Sequence, residues 1–207
     1  MRPAALRILV ASSNPGKVAE FHKLAEGRKP SISLNLELLP QFSELPVFDE
    51  SAPTFAENAA GKALHYSRFV SLPVLADDSG LVVDALEGAP GVQSARYAGP
   101  RASDAQRTAK LLEELRARGA TDRRARFVCV IALVDRGRTI AVVSAAAEGE
   151  ILDAPKGAGG FGYDPVFWVP ALGKTFAELS PREKNRYSHR GKAFRKLIDF
   201  LAHSSVL

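Results

Sequence analysis

The chain has 207 residues, 46% of them hydrophobic and 25% charged, which is typical of a globular protein with one domain or two small lobes around a common core. No apolar run approaches the roughly 20 residues that cross a bilayer, and no N-terminal segment has the pattern of a signal peptide, so we expect a cytoplasmic protein without a membrane partner. The net charge of +5 favours a polyanionic partner, either nucleic acid or a small phosphorylated molecule. The single cysteine, Cys129, excludes an internal disulfide and is expected to be buried in the core.

The first elements are a strand and a helix separated by a polar turn. Arg7–Ala11 is apolar enough for a strand, and Lys17–Glu26 places its apolar residues on one helical face. The segment between them, Ser12–Lys17, would expose backbone N–H groups at a helix N-terminus, where phosphate binds well. The alternative is an ordinary helix cap with an exposed lysine. Its Gly-Lys pair lacks the flanking Gly and Ser or Thr of a P-loop, which excludes that motif.

A second helix is predicted from Thr54 towards Val70, after a strand near Leu34–Leu39. Thr54 and Glu57 have the spacing of a capping box, so Glu57 is explained by a purely structural role. Glu57 and Lys62 also lie close together on one broad helical face. They could therefore serve a metal–phosphate site together, and the sequence leaves both roles open.

Two adjacent acids, Asp77 and Asp78, follow the apolar run Val74–Ala76 and precede another, Leu81–Val83. We interpret the two runs as separate short strands with a Ser-Gly turn between them. Ionised carboxylates are rarely buried without a partner, so a cation is expected here, either Mg²⁺, Lys or Arg. The alternative is that one of the acids merely caps the turn.

Further along, a helix is predicted from Asp104 to about Arg118, with Ser103 as its cap. Phe127–Val134 and Thr139–Ala147 are predicted to be the strands of a hairpin.

The segment Gly157–Phe167 contains several glycines among aromatic residues. Such a loop lets backbone approach another group closely, and a planar base stacked on Phe161 would explain it. A tight turn with aromatic anchors in the core explains it equally.

In the tail, Ser188 would cap a last helix whose first turn contains His189 and Arg190. Cations there are unfavourable with the helix dipole unless an anion or polar ligand faces them.

Taken together, these segments resemble the inosine/xanthosine triphosphate pyrophosphatase family, which acts on non-standard purine nucleotides. The resemblance extends over nearly the whole chain, in the family's order. Its motifs are Ser12–Lys17, Thr54-Phe55-x-Glu57-Asn58-Ala59, Ala76-Asp77-Asp78-Ser79-Gly80, Gly88-Ala89-Pro90-Gly91, Ser94-Ala95-Arg96-Tyr97, Gly160-Phe161-Gly162-Tyr163-Asp164-Pro165 and Ser188-His189-Arg190-Gly191. Ala52 and Val128 depart from the Gly and His that are common in the family, which puts only local loop shape in doubt.

The resemblance implies an α/β fold with two lobes around a long mixed β-sheet and the nucleotide cleft between them, as a single domain over residues 1–207. It implies Mg²⁺-dependent hydrolysis of ITP, dITP and XTP to the monophosphate and pyrophosphate, which cleanses the nucleotide pool before DNA and RNA synthesis. It also implies a homodimer without a stable nucleic-acid partner.

The family's site residues transfer to positions of this sequence that match its motifs. The triphosphate would be held by Ser12, Ser13, Asn14, Pro15, Gly16 and Lys17. Glu57 and Asp78 would bind Mg²⁺, and Asp78 would be the proton acceptor, with Asp77 as its support. Lys62 would help Lys17 to stabilise charge on the phosphate oxygens. The nucleotide, mostly its base, would be contacted by Ser79, Phe161, Gly162, Tyr163, Asp164, Lys184, His189 and Arg190.

Base selection should depend on hydrogen-bond polarity. Hypoxanthine and xanthine present a 6-oxo acceptor, which Arg190 or a backbone N–H could meet, whereas adenine presents a donor there.

The first rival hypothesis is that the protein binds nucleotides or nucleic acid without catalysis, and the basic tail favours it. The second is a pyrophosphatase that acts on standard or modified pyrimidine nucleotides.

Overall fold

The computed structural model describes residues 5–26 and 33–204. In those residues the helices are α1 Pro15–Glu26, α2 Phe55–Ser67, α3 Asp104–Ala117, α4 Pro181–Tyr187 and α5 His189–His203. The strands are β1 Leu6–Val10, β2 Leu34–Leu38, β3 Val74–Val83, β4 Arg124–Asp135, β5 Arg138–Ile151, β6 Phe167–Val169 and β7 Lys174–Thr175. No helix in the described ranges is long and apolar enough to cross a membrane.

The strands form a mixed sheet in the order β2-β1-β3-β4-β5-β6-β7. Strand β1 runs parallel to both β2 and β3, and β6 runs antiparallel to β5 and β7. This confirms the predicted α/β class with a mixed sheet. The two lobes with a cleft between them, and the single domain over residues 1–207, stay predictions.

The chain forms two compact units. The first unit takes in the described residues up to Asp78, then Cys129–Ala145 and the described residues from Arg190 onward. In its core Phe21 of α1 meets Phe194 of α5 edge to face, with 5.8 Å between ring centroids. Cys129 is fully buried in the same core, as predicted, and burial raises its pKa to about 12.

The second unit consists of Ser79–Val128 and Ala146–His189. Its core joins the apolar face of α3 to a group of phenylalanines. Leu111 and Leu115 are fully buried there. The ring of Phe127 lies 4.7 Å from that of Phe167 and 5.8 Å from that of Phe176, centroid to centroid. Tyr163, Val166 and Phe167 of the glycine-rich segment belong to the same core.

The main correction to the sequence interpretation concerns β3. It is one continuous strand from Val74 to Val83, and Asp77 and Asp78 lie inside it, with no turn at Ser79-Gly80. Both carboxylates are buried, Asp77 with 1% of its surface exposed and Asp78 with 6%. A strand tolerates this only when cations or hydrogen-bond donors compensate the buried charges.

The other differences are smaller. Helix α1 begins at Pro15, two residues earlier than predicted, because proline is well suited to the first helical position. Strands β4 and β5 are both longer than the predicted hairpin strands. Helix α4 was not predicted at all, since it has only 7 residues. The sequence also predicts a helix stop at Gly27, which lies outside the described residues.

Candidate active site

The polar segment Ser12–Lys17 forms the predicted strand-to-helix turn, and Asn14 caps α1. The Asn14 side-chain oxygen accepts from the Lys17 amide at 3.1 Å, and the Asn14 amide donates to Ser12 Oγ at 3.3 Å. Ser12 is buried, Ser13 and Pro15 are exposed, and Gly16 is half-buried. The turn thereby fixes the start of the helix and places Lys17 in its first turn.

Lys17 and Arg190 both pair with Asp77. The Asp77 Oδ2 atom lies 3.0 Å from Lys17 Nζ and 3.3 Å from Arg190 Nη2. Arg190 Nη1 also pairs with Glu20 of α1. Burial alone would raise the pKa of Asp77, but the charges of Lys17, Arg190 and Lys62 outweigh it and hold that pKa well below its usual range. Asp77 is therefore an ionised carboxylate held by cations from distant parts of the sequence.

Asp78 has a different environment. Its Oδ2 atom accepts from Asn58 Nδ2 at 3.1 Å, and Asn58 is itself fixed by both backbone groups of Ala52. Burial raises the pKa of Asp78 to about 6, against the attraction of Lys17, and the negative charge of Glu50 adds to the increase. The surroundings of Asp78 thus disfavour its negative charge, and the neighbouring negative charge of Asp77 adds to this effect.

Lys62 and Glu57 lie on α2 but have different partners. Lys62 Nζ lies 2.5 Å from Glu50 Oε1. Burial would lower the pKa of Lys62, but the charges of Glu50 and Asp77 outweigh it and raise that pKa. The exposed Glu57 accepts from the Thr54 hydroxyl at 2.7 Å, and the Glu57 amide donates back to Thr54 at 3.2 Å. Thr54 therefore caps the helix as predicted, but the Glu57 carboxylate bonds to the Thr54 hydroxyl, and the reciprocal bond of a complete capping box is not formed.

A hard divalent cation fits the donor chemistry at Asp78. Oxygen atoms of carboxylates are the ligands that Mg²⁺ prefers. Across residues 5–26 and 33–204, no group of three or more His, Cys, Asp or Glu side chains is placed to hold a metal ion. Mg²⁺ does not need such a group, because it is usually held by one or two carboxylates with water and substrate phosphates. A cation beside Asp78 would also relieve the penalty that raises its pKa.

In the second unit, the glycine loop, Gly160–Asp164, is closed by its own last residue. Asp164 Oδ2 accepts from the Phe161 amide at 2.8 Å and lies 2.5 Å from Lys184 Nζ. Lys184 is buried and its ammonium group lies 4.5 Å from the centroid of the Phe161 ring. A Cβ atom on Gly160 would lie 2.1 Å from Asp164 Oδ2, so only glycine fits there. The loop is a fixed structure that presents an aromatic ring beside a cation.

The other predicted site residues of the second unit are also held by contacts with neighbouring residues. The His189 ring stacks on the Phe127 ring, with 4.7 Å between centroids and 9° between planes. Tyr163 is buried and donates from its hydroxyl to the Ser94 carbonyl at 2.9 Å. Ser79 is half-buried in β3. Aromatic surface, a buried lysine and backbone N–H groups are suitable for contacting a planar polar base.

The structure thus groups the predicted residues by unit. In the first unit it brings together Lys17, Lys62, Asp77, Asp78 and Arg190. In the second it brings together Phe161, Asp164 and Lys184. Arg190 already binds the carboxylates of Asp77 and Glu20, whereas the sequence argument gave it the 6-oxo group of the base. That base contact stays a prediction.

Sequence reasoning assigned no role to Glu20, Glu50 or Asn58. Asn58 is part of the Thr-Phe-x-Glu-Asn-Ala motif, so the motif contained a signal for it. Glu20 and Glu50 lie in no motif, and only the fold places them against Arg190 and Lys62.

Comparisons with known proteins show to which family the chain is related. The family model described as the Ham1 family matches residues 8–200. The chain is 52% identical to a dITP/XTP pyrophosphatase of Geobacillus kaustophilus over 190 residues, which is 92% of this chain and 91% of that protein. It is similar to the solved structure of a HAM1 protein from Coxiella burnetii, with a TM-score of 0.85 and 45% identity over 96% of this chain and all of the other.

A second solved structure, the Ham1 protein of Staphylococcus aureus, is similar with a TM-score of 0.81 and 40% identity. That likeness covers 94% of this chain and 97% of the other. The likeness in sequence and in fold therefore extends over almost the full length of the chain. The chain belongs to the Ham1 family.

Proposed function

We propose that this protein is a Mg²⁺-dependent pyrophosphatase that hydrolyses ITP, dITP and XTP to the nucleoside monophosphate and pyrophosphate. The observation that carries the proposal is the pair of buried carboxylates in β3, one ionised between Lys17 and Arg190 and the other, Asp78, with a pKa of about 6. The 52% identity to a protein named dITP/XTP pyrophosphatase supports the choice of substrates.

The reaction transfers an oxygen from water to the α-phosphorus atom. The P–O bond to the bridging oxygen breaks and pyrophosphate leaves with its electron pair. Asp78 orients the water and accepts its proton. Without a bound cation its pKa is about 6, so its carboxylate is mostly ionised at neutral pH. Lys17 and Lys62 stabilise the negative charge that accumulates on the phosphate oxygens.

Asp77, Arg190 and Asn58 hold the lysine and the carboxylate of this reaction in position. Asp77 holds the Lys17 ammonium group at 3.0 Å, and Arg190 in turn neutralises Asp77. Asn58 orients the Asp78 carboxylate through a hydrogen bond of 3.1 Å. We assign the remaining residues of the Ser12–Lys17 turn to the triphosphate, which would accept from N–H groups at the start of α1.

Mg²⁺ would be held by Asp78, with Glu57 as the predicted second ligand and Glu50 as the alternative that the electrostatics favour. When bound, the cation polarises the phosphate oxygens and lowers the pKa of a coordinated water. The variants Glu57→Gln and Glu50→Gln distinguish the two candidates. Only substitution of the residue that binds Mg²⁺ should raise the Mg²⁺ concentration needed for half-maximal turnover.

The residues of the second unit would select the base. Phe161 offers a stacking surface, and Lys184, His189 and the N–H group of Tyr163 offer donors to a 6-oxo group. A standard adenine base would place its own 6-amino donor against these donors, which costs binding energy. We further propose a cytoplasmic homodimer that cleanses the nucleotide pool and binds no nucleic acid stably.

The substrate class is tested by pyrophosphate release from dITP, XTP, dATP, dGTP and dUTP with the wild-type protein. Release from dITP and XTP at rates far above the other three supports the proposal. Equal release from all purines would discard the base selection, and release from dUTP above dITP would favour the pyrimidine hypothesis.

A further inference from the structure

The first residue of α3 binds the backbone of the glycine loop. Asp104 Oδ2 accepts from the Gly162 amide at 2.6 Å, across 58 residues of sequence. The other carboxylate oxygen of Asp104 pairs with Arg107 on the same helix. Arg107 Nη1 donates to the carbonyls of Ala95 at 3.0 Å and Ala102 at 2.5 Å. One carboxylate therefore connects the glycine loop to α3 and to the segment that precedes the helix.

The start of α3 does not need this carboxylate for its cap. Ser103 and Gln106 form a complete capping box, in which the Ser103 amide donates to Gln106 Oε1 at 2.8 Å and the Gln106 amide to Ser103 Oγ at 3.2 Å. An acid at the first helical position is also favourable to the helix dipole, but that effect needs no contact with a distant loop. The bond to Gly162 is thus additional to the local role of Asp104.

Gly162 lies at the point of the glycine loop where the backbone is least constrained by packing. Its φ is +63°, and a Cβ atom there would meet nothing within 4 Å. On either side the chain is fixed, by the bond from the Phe161 amide to Asp164 and by the bond from the Tyr163 hydroxyl to Ser94. Asp104 supplies the contact that orients the peptide between these two anchors.

We propose that Asp104 is a positioning residue for base selection. By fixing the Gly162 amide it fixes the direction of the Phe161 ring and of the neighbouring N–H groups that would contact the base. This inference rests on the proposed function, in which the glycine loop reads the base. Asp104 acts through the loop and needs no contact with substrate.

The kinetic test compares Asp104→Ala with Gln106→Ala, which weakens the start of the same helix but leaves the Asp104–Gly162 bond. We expect Asp104→Ala to lower the dITP/dATP ratio of kcat/KM about tenfold, through a higher KM for dITP, as loss of a hydrogen bond to a charged group predicts. The inhibition constant of inorganic tripolyphosphate, which has no base, should be unchanged. Gln106→Ala should keep the wild-type ratio. Asp104→Asn should retain part of the selectivity, because its side-chain amide oxygen can still accept from the Gly162 amide.

An unchanged ratio in Asp104→Ala, or an equal decrease in Gln106→Ala, would overturn the inference. A second readout does not depend on turnover: hydrogen exchange of the Gly162 amide should accelerate about tenfold or more in Asp104→Ala and stay at the wild-type rate in Gln106→Ala. Unaltered exchange at Gly162 in Asp104→Ala would also overturn it. Failure of the wild-type protein to hydrolyse dITP would reject the proposed function instead, and the exchange rates would still decide the positioning role.

Discussion

Buried ion pairs occur in both units, but their charge balance differs. In the second unit Asp164 is compensated by Lys184 and by the Phe161 amide, so the glycine loop is a balanced framework. In the first unit Asp77 is compensated by Lys17 and Arg190, whereas the pKa of its neighbour Asp78 is raised to about 6. The pair in the second unit holds the shape of a loop, whereas the raised pKa of Asp78 supports the role that we propose for it.

The largest effect should follow from removing the buried cation of the first unit. Arg190→Met leaves the carboxylates of Asp77 and Glu20 without its charge, and we expect the free energy of unfolding to fall by about 3–5 kcal/mol. Urea denaturation at pH 7, followed by circular dichroism, measures it. The matched control is Arg7→Met, since the Arg7–Glu37 pair is in the same unit but 55% and 33% exposed. That change should lower the free energy of unfolding far less, because the solvent screens an exposed ion pair. Equal losses in both variants would contradict the account.

The corresponding change in the second unit is Lys184→Met. We expect a loss of about 3 kcal/mol in the free energy of unfolding, at the low end of the range for a broken buried pair, because the Phe161 amide still donates to Asp164. Lys174→Met is the control, since Lys174 lies 3.8 Å from Glu183 and is 47% exposed. If Lys174→Met destabilised the protein as much as Lys184→Met, the balanced pair would not be what holds the loop.

The neighbouring acids of β3 should respond to pH with opposite signs. The folded pKa of Asp78 is raised from 3.8 to about 6, so its charge destabilises the fold increasingly as pH rises through that range. Asp78→Asn should therefore be more stable than wild type. The difference in the free energy of unfolding should reach its full size above pH 6, and it should not exceed about 3 kcal/mol. The folded pKa of Asp77 is lowered, so its contribution is present above pH 3.8 and is lost on acidification below it.

Thermal unfolding of Asp78→Asn, Asp77→Asn and wild type between pH 2 and pH 8 measures both signs. Asp77→Asn should be less stable than wild type at pH 8. The two acids would not differ as described if Asp78→Asn were also less stable than wild type at that pH.

The smallest effect concerns the glycine loop alone. Gly162→Ala adds a methyl group that meets nothing within 4 Å, so the cost comes only from the positive φ of +63°. We expect a loss of about 1 kcal/mol in the free energy of unfolding. Gly160→Ala should cost more, because its Cβ would meet Asp164 Oδ2. Equal costs in the two variants, compared by urea denaturation, would show that close approach to Asp164 does not limit the loop.

Local patterns predicted the elements whose stability is local. The capping signals at Thr54 and Ser103 predicted the starts of α2 and α3, and both caps are present. Motifs also singled out Asp77 and Lys17, which form an ion pair in the structure. The physical reason is that a cap or a turn depends on residues a few positions apart.

The continuous strand β3 could not be predicted in this way. Two adjacent acids inside a strand are unfavourable unless cations compensate them, and the partner of Asp77 on α5, Arg190, is 113 residues away in sequence. Glu50 and Asp104 were missed for the same reason. Each has a local environment that predicts nothing unusual, and its contact with Lys62 or Gly162 exists only in the folded chain.

The central claim is that Asp78 is the acid on which catalysis depends. The most direct measurement is pyrophosphate release from dITP by wild type and Asp78→Asn, each with Mg²⁺ and with EDTA, together with dITP binding by calorimetry. The account predicts fast release by wild type with Mg²⁺ only, a loss of at least about 10²-fold in the variant, and retained binding. Equal turnover in the variant, or dITP binding without release by the wild type, would contradict it, and the second result would favour the binding-module hypothesis.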